Sequence, residues 1–369
     1  MSNSEDRSRQ KGQSDGGTLG ITDSSKKLRS ETEDTLRVLV SRPPSEPETL
    51  PSTTDAGELH SGPLNVKGGH KYDLERLVAR GGMGAIYKTR DVKCERVVAL
   101  KMLLNDGGGN LPPNSQALFV DEAQITSQLE HPNIVPIHEL GSDEAGNTFY
   151  TMKYIRGISL SDIIARLRHG KDPAAIEQYS LGSLLTIFQK TCDAVAFAHS
   201  KGVIHRDLKP GNIMIGDYGE VLVLDWGLAK RLGREPGQKS SGPAGEIVGT
   251  PTYMSPEQAR GRASELDARS DIYSLGAVLY SILTLHTPVK GDSVREILQQ
   301  IIHGQIVPPA LFNRSAGTTP EDPPASKPVR FPHCPDGQIP PVLSDIAMKA
   351  MALDPANRYP SVHSLQKDV

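Results

Sequence analysis

One octapeptide constrains this chain more than any other stretch: His205-Arg206-Asp207-Leu208-Lys209-Pro210-Gly211-Asn212. It sets an aspartate, a lysine and an asparagine on one short loop. Asp225-Trp226-Gly227 begins 18 residues past Asp207. Phosphoryl transfer calls for such groups: a carboxylate to take a hydroxyl proton, a cation for the moving phosphate, and two oxygen ligands for a divalent ion. A lone Asp or Lys is usually a solvated surface charge. The spacing among these four asks for a scaffold that brings two loops to one cleft.

Other parts lie upstream and downstream. Val98-Ala99-Leu100-Lys101 reads as a buried strand ending in a lysine. The segment 117–129 is mostly helix-forming and offers Asp121, Glu122 and, just beyond it, Glu130 as carboxylates for that lysine. Before the strand lies Val78-Ala79-Arg80-Gly81-Gly82-Met83-Gly84-Ala85-Ile86. Glycines there let backbone N–H groups approach a phosphate with no side chain in the way. Alone, this stretch is an ordinary hairpin turn, but Lys101 follows Gly84 by 17 residues. Downstream come Gly249-Thr250-Pro251-Thr252-Tyr253-Met254-Ser255-Pro256-Glu257, Asp271-Ile272-Tyr273-Ser274-Leu275-Gly276, and Asp354-Pro355-Ala356-Asn357-Arg358-Tyr359-Pro360.

In this order the motifs resemble the eukaryotic-like (Hanks-type) bacterial protein serine/threonine kinases, from about residue 72 to residue 369. Gly81-Gly82-Met83-Gly84, His131-Pro132-Asn133-Ile134-Val135 and Ala198-His199-Ser200-Lys201-Gly202-Val203-Ile204 carry the closest phrasing. The resemblance implies an α+β, bilobal fold. A β-rich N-lobe would cover 70–152, a hinge 153–157 and a helical C-lobe 158–369. It also implies transfer of the γ-phosphoryl group of ATP to Ser or Thr hydroxyls of proteins, the chain's own activation loop included. Mg²⁺ would be required, with Mn²⁺ as a substitute.

The same resemblance distributes roles. Asp207 would orient the acceptor hydroxyl and take its proton, and Lys209 would neutralise the transferring phosphate. Asn212 and Asp225 would hold metal ions. Lys101 would grip the α- and β-phosphates, aligned by Glu122, which leaves Asp121 and Glu130 as solvated charges. Val78, Ala79, Gly81, Gly82, Gly84 and Ile86 would cover the nucleotide, with Ala79 in place of the family's first glycine. Ile86, Ala99 and Met214 would sandwich the adenine. Met152 would be the gatekeeper, and Lys153-Tyr154-Ile155 the hinge that pairs with the adenine edge. Trp226 stands where the family has phenylalanine, and its larger ring must fit against the Glu122 helix. Glu257 and Arg358 would form a buried pair, and Asp271 would hydrogen-bond the catalytic-loop backbone. These three are scaffold. Lys209 and Thr250 imply Ser/Thr acceptors. Arg206 would await a phosphate on the loop that offers Ser240, Ser241, Thr250 and Thr252, with Ser240 or Ser241 the expected autophosphorylation site.

Two other readings compete. A pseudokinase, a binding module on the same fold, is supported by Ala79 and Trp226 only. A small-molecule kinase is disfavoured by Thr250-Pro251-Thr252-Tyr253 and Ser255-Pro256-Glu257, which build a peptide-receiving platform in protein kinases.

Composition bounds the rest. Residues 1–68 are rich in Ser, Thr, Asp, Glu, Gly, Lys and Arg, and such a stretch buries too little apolar area to offset ordering entropy. It is expected to be a disordered tail before a domain at 69–369. The start has neither a basic region nor an apolar core of a secretory signal. A net charge of −3 and a pI near 6.4 argue against a nucleic-acid surface. Cys94, Cys192 and Cys334 lack metal-ligand spacing and read as reduced thiols in a cytoplasm. No apolar run is long enough to span a membrane. Helical spacing is clear over 181–199, 271–285, 293–302 and 342–353. A proline-rich stretch at 305–341 is either a docking insert or a passive loop. Past Tyr359-Pro360-Ser361 either the last helix is short or the chain is a piece of a longer protein, which could then carry a membrane tether. Self-association for autophosphorylation is compatible with all of this.

Overall fold

The structure is a computed structural model that describes residues 62–66, 69–80, 84–103, 114–232, 249–313 and 330–369. Gly81, Gly82, Ser240 and Ser241, and the expected tail up to residue 61, lie outside the described residues.

Period-two burial builds the first lobe. Strands β1 (Gly62–Val66), β2 (Gly69–Arg80), β3 (Gly84–Asp91), β4 (Arg96–Leu103), β5 (Ile137–Ser142) and β6 (Thr148–Lys153) form one antiparallel sheet in the order β1-β2-β3-β4-β6-β5. Alternate residues of each strand face opposite sides. Tyr72, Leu74, Ala85, Tyr87, Val98, Leu100, Met102 and Phe149 pack with Leu64 on one face. Leu103 and Tyr150, on the other, pack with Phe119 and Ala123 of helix α1 (Ser115–Ser127). Lys101 shares that second face, so the sheet aims it at the helix that carries Glu122.

The sheet starts earlier than the boundary at residue 68 that composition suggests. Leu64 is 7% exposed and completes the core, and β1 pairs with β2 from Gly62 to Val66. Gly84 has a role inside this sheet. A Cβ there would sit 2.3 Å from the Met102 carbonyl oxygen on β4. The close pairing of β3 with β4 therefore requires a glycine at this position, whatever its backbone offers a phosphate.

The second lobe begins with the short strand β7 (Gly157–Ser159) and is otherwise mainly helical: α2 (Leu160–His169), α3 (Pro173–Gln178), α4 (Leu181–Ser200), α5 (Pro256–Ala259), α6 (Ala268–Thr284), α7 (Val294–Ile302), α8 (Pro341–Ala350) and α9 (Val362–Asp368). Ser159 and Asp162 cap α2 reciprocally, and Gly170 ends it with φ 63. Such a box satisfies N–H groups that the first turn cannot pair internally. Helix α6 is buried on all sides from Ser270 to Thr284, which makes it the helix around which the others pack.

The two ends of the proline-rich stretch are packed structure. Phe331, His333, Cys334 and Ile339 are buried. Asn313 and Ile339 exchange two 2.8 Å hydrogen bonds, and the Leu181 N–H at the start of α4 donates to the His333 carbonyl at 2.8 Å. Helix α9 lies against α4, where Gln366 Nε2 donates to Asp193 Oδ1 at 2.8 Å.

Candidate active site

Three short strands present the two loops. The loop 205–212 joins β8 (Val203–Ile204) to β9 (Ile213–Gly216), and Asp225 follows β10 (Val221–Val223). The β9–β10 hairpin puts their ends side by side. The Leu224 N–H donates to the Asn212 carbonyl at 2.8 Å. His205 Nε2 donates to the Leu224 carbonyl at 3.0 Å while its Nδ1 accepts from the Asp207 N–H at 3.2 Å. Those two bonds hold the ring between the loops, with Nε2 as the donor and Nδ1 as the acceptor. His205 thus ties the loop of Asp207 to the loop of Asp225.

Asp271 on α6 anchors this assembly from below. Its carboxylate accepts from the His205 N–H at 2.8 Å, the Arg206 N–H at 2.9 Å and His199 Nε2 at 2.7 Å. Burial would push this carboxyl up. The His199 hydrogen bond and charge, with His205 and the Arg206 N–H, outweigh it and hold it below the usual range. Arg206 and Asp225 both take left-handed backbone, φ 71 and φ 59. Such strain persists where surrounding bonds over-determine it.

Asp207 is buried at the mouth of the loop. Lys209 Nζ donates to its Oδ2 at 2.7 Å and to Thr250 Oγ1 at 2.6 Å. The Thr250 N–H donates to Asp207 Oδ1 at 2.8 Å. Gly249 suits this approach: its φ is 125, a backbone conformation that L side chains rarely adopt. Asn212 Nδ2 donates to the Asp207 carbonyl at 2.9 Å, which leaves its amide oxygen as an acceptor.

Across the cleft, Lys101 Nζ donates to Glu122 Oε1 at 2.7 Å and Oε2 at 2.9 Å. Asp225 Oδ1 lies 4.0 Å from the same nitrogen. Burial works to lower the Lys101 pKa, but the Glu122 and Asp225 carboxylates overcome it and hold the ammonium above its usual value. Tyr150 OH donates to Glu122 Oε1 at 2.7 Å. Asp225 feels the opposite balance. Burial raises it, yet Lys101 first, then Lys209, His205 and the Gly227 N–H keep it below the usual carboxylate range. Its side chain is 49% exposed toward the cleft, so its carboxylate is open to an incoming group. Asn212 and Asp225 offer an amide oxygen and a carboxylate, hard donors that suit Mg²⁺. No group of three or more His, Cys, Asp or Glu fit to hold a metal occurs among the described residues. Two protein oxygens fit an ion that takes its remaining ligands from water and substrate phosphates.

The residues expected around the adenine sit on the same strands. Ile86 is opposite Lys101, Ala79 opposite Ile86, and Ala99 opposite Met152. Met214 on β9 is opposite Ser159 on β7. Val78 and Ala79 are exposed near the end of β2, and Tyr154 and Ile155 are half-buried between β6 and β7. Arg76 on β2 reaches the Tyr154 hydroxyl at 3.3 Å. Trp226 is 1% exposed with its ring centroid 4.5 Å from that of His205.

Glu257 and Arg358 meet in a two-pronged pair, Nη1 to Oε1 at 2.8 Å and Nη2 to Oε2 at 2.9 Å. Ser270 Oγ adds a 2.7 Å bond to Glu257. Thr252 is half-buried in the turn Pro251–Tyr253. Sequence reasoning missed three supports. They are His199 on Asp271, Tyr150 on Glu122, and Gln258, whose Nε2 donates to the Arg206 carbonyl at 2.7 Å. Tyr150 alone had a signal, since strand alternation puts it on the face of Met152.

The protein kinase domain family matches residues 72–369. The serine/threonine-protein kinase PknD of Protochlamydia amoebophila is 36% identical over 314 residues, which cover 81% of this chain and 29% of that relative. The enzymes of the same name from Chlamydia muridarum and Chlamydia felis are each 38% identical over 317 residues, covering 80% and 81% of this chain and 31% and 30% of theirs. The chain thus spans about three tenths of the length of the relatives it matches. Enzymes of this family use ATP and a divalent metal ion. With the matched length and the paired loops in agreement, the chain belongs to the protein kinase family.

Proposed function

We propose that this chain transfers the γ-phosphoryl group of ATP to Ser and Thr hydroxyls of proteins, with Mg²⁺ as the ion, and Mn²⁺ as its substitute. The observation that carries this reading is the joint geometry of Asp207, Lys209, Asn212 and Thr250 opposite Lys101, Glu122 and Asp225. Asp207 orients the acceptor hydroxyl and takes its proton. Lys209, held between Asp207 and Thr250, supplies positive charge where the phosphoryl group passes. Lys101, kept protonated by Glu122 and Asp225, aligns the nucleotide phosphates. Ile86, Ala99, Met152 and Met214 hold the adenine, with Tyr154 and Ile155 along its edge. Asn212 through its free amide oxygen and Asp225 through its exposed carboxylate would hold the ion. When bound, that ion neutralises charge building on the phosphate oxygens.

Lys209 and Thr250 favour Ser/Thr over Tyr acceptors. The Ser/Thr kinase names of the relatives agree with this. Among the described residues Arg206 Nε is buried without a hydrogen-bond partner. A phosphate on the loop at Ser240 or Ser241 would supply one, which supports autophosphorylation there, with two copies of the chain meeting to carry it out. The free thiols Cys94, Cys192 and Cys334 agree with a reducing, cytoplasmic setting. Among the described residues no helix is long and apolar enough to cross a membrane.

The test is Asp207→Ala beside the unaltered chain, with ATP, Mg²⁺ and a generic basic protein. Phosphate transfer should be lost while the thermal melt stays in place. An unchanged rate would remove Asp207 from its role as proton acceptor.

A further inference from the structure

We propose that strand β1 and the turn between β5 and β6 form a clasp that positions the Glu122 helix, with Gln116 as the positioning residue. The proposal rests on the reading of Lys101 and Glu122 as the pair that aligns the nucleotide.

Strand β1 precedes the family match, which begins at residue 72. It lies at one edge of the sheet and β5 at the other, yet the two ends touch. Val66 bridges Asp143, and the Glu144 N–H donates to the Asn65 carbonyl at 3.0 Å. Lys71 Nζ and Tyr72 OH span the same gap, both donating to Glu139 Oε2 at 2.5 Å. The sheet is therefore sewn closed by β1.

The turn that receives β1 is stiff. Asp143 Oδ1 accepts from the Asn147 N–H at 2.7 Å, and its Oδ2 from Asn147 Nδ2 at 2.8 Å. The next residue, Thr148, is buried, and its Oγ1 accepts from Gln116 Nε2 at 3.2 Å. Gln116 belongs to the first turn of α1. Asn114 precedes it with φ 76 and makes no side-chain capping bond, and no acidic residue occupies the first turn. Such an end leans on its neighbours. Glu122 lies on the same rigid helix, so a shift at Gln116 moves the carboxylate that holds Lys101.

The seam of the clasp borders a pocket. A cavity of about 310 Å³ lies between Gly62–Asn65 and the turn, floored by Leu74 and Met102. A continuous line of bonded groups thus runs from β1 through Glu144, its neighbour Asp143, Asn147, Thr148 and Gln116, and along α1 to Glu122.

Glu144 occupies the second position of a turn closed by the Gly146 N–H on the Asp143 carbonyl at 3.1 Å. Proline suits that position, so Glu144→Pro deletes the N–H bonded to Asn65 and spares the turn. The experiment measures kcat, KM for ATP and the thermal midpoint for Glu144→Pro, Gln116→Ala, Gln116→Glu and the Glu144→Pro/Gln116→Ala pair. Gln116→Ala should lower kcat about three- to tenfold, the scale of coupling through packed networks, with the midpoint unchanged. Gln116→Glu should recover the rate, because the Thr148 hydroxyl can donate to a carboxylate. Glu144→Pro should lower kcat as well, and the pair no further than the worse single variant, since both act along one path. An unchanged kcat in Gln116→Ala, a Gln116→Glu as slow as Gln116→Ala, or losses that multiply would overturn the clasp. A Lys101→Met control at full rate would instead overturn the nucleotide-aligning pair on which the clasp acts.

Discussion

Asn212 donates its side-chain amide to the carbonyl of Asp207 at 2.9 Å. The residue suited to hold the ion is thereby fixed to the residue suited to take the proton. One bond sets both the direction of the amide oxygen and the path of the catalytic-loop backbone. His205 repeats the theme with the second ion-facing residue, since its ring bonds the carbonyl just before Asp225.

Asn212→Asp tests that bond. The carboxylate cannot donate, and it meets the Asp207 carbonyl acceptor to acceptor. The Mg²⁺ concentration for half-maximal activity should rise about 10- to 100-fold, as when a partner that orients a ligand is lost. An unaltered Mg²⁺ titration would contradict the arrangement.

Trp226 is the chain's only tryptophan, so intrinsic indole fluorescence reports on the loop of Asp225 alone. The ring is 1% exposed and packed on His205. Acrylamide should quench it only weakly, and His205→Ala should raise the quenching. Quenching near that of a free indole would place the ring outside the pocket described.

The Glu257–Arg358 pair is buried on both sides, 5% and 0% exposed. Removing one partner strands the other charge, so Arg358→Ala should cost about 3–5 kcal/mol in denaturant unfolding. A loss below about 1 kcal/mol, the size of an ordinary surface pair, would contradict the burial.

Acid sensitivity follows from Asp271. Its folded pKa is depressed, so its stabilisation is fully present above the unfolded value near 4 and disappears as pH falls through the folded one. The thermal-midpoint gap between the unaltered chain and Asp271→Asn should be widest above about pH 5 and narrow below about pH 4. A gap constant across that range would contradict the shift.

The sequence made the site readable where its residues are close along the chain. The stretch 205–212, Asp225 and the 249–257 segment stand out in local order, and the structure brings them to one cleft. Lys101 and Glu122 were readable through the strand and the helix they sit on. The supports were not. His199 and Asp271 are 72 residues apart, and Tyr150 meets Glu122 across 28. No local pattern encodes such contacts, because packing of the lobes creates them. Strand β1 escaped notice because Leu64 is its only fully buried residue, too short an alternation to stand out from a polar stretch. Conversely, Gly84 was readable as a required glycine, but the reason the structure gives is the Met102 carbonyl.

Labelled phosphate transfer tests the central claim most directly. The purified chain is mixed with Mg²⁺ and labelled ATP beside an Asp225→Ala control, and mass spectrometry locates the label. Phosphate on Ser or Thr that vanishes in the control is the expected result. No label on the chain or on an added protein, with ATP binding intact, would contradict the assignment and make this kinase fold a binding module.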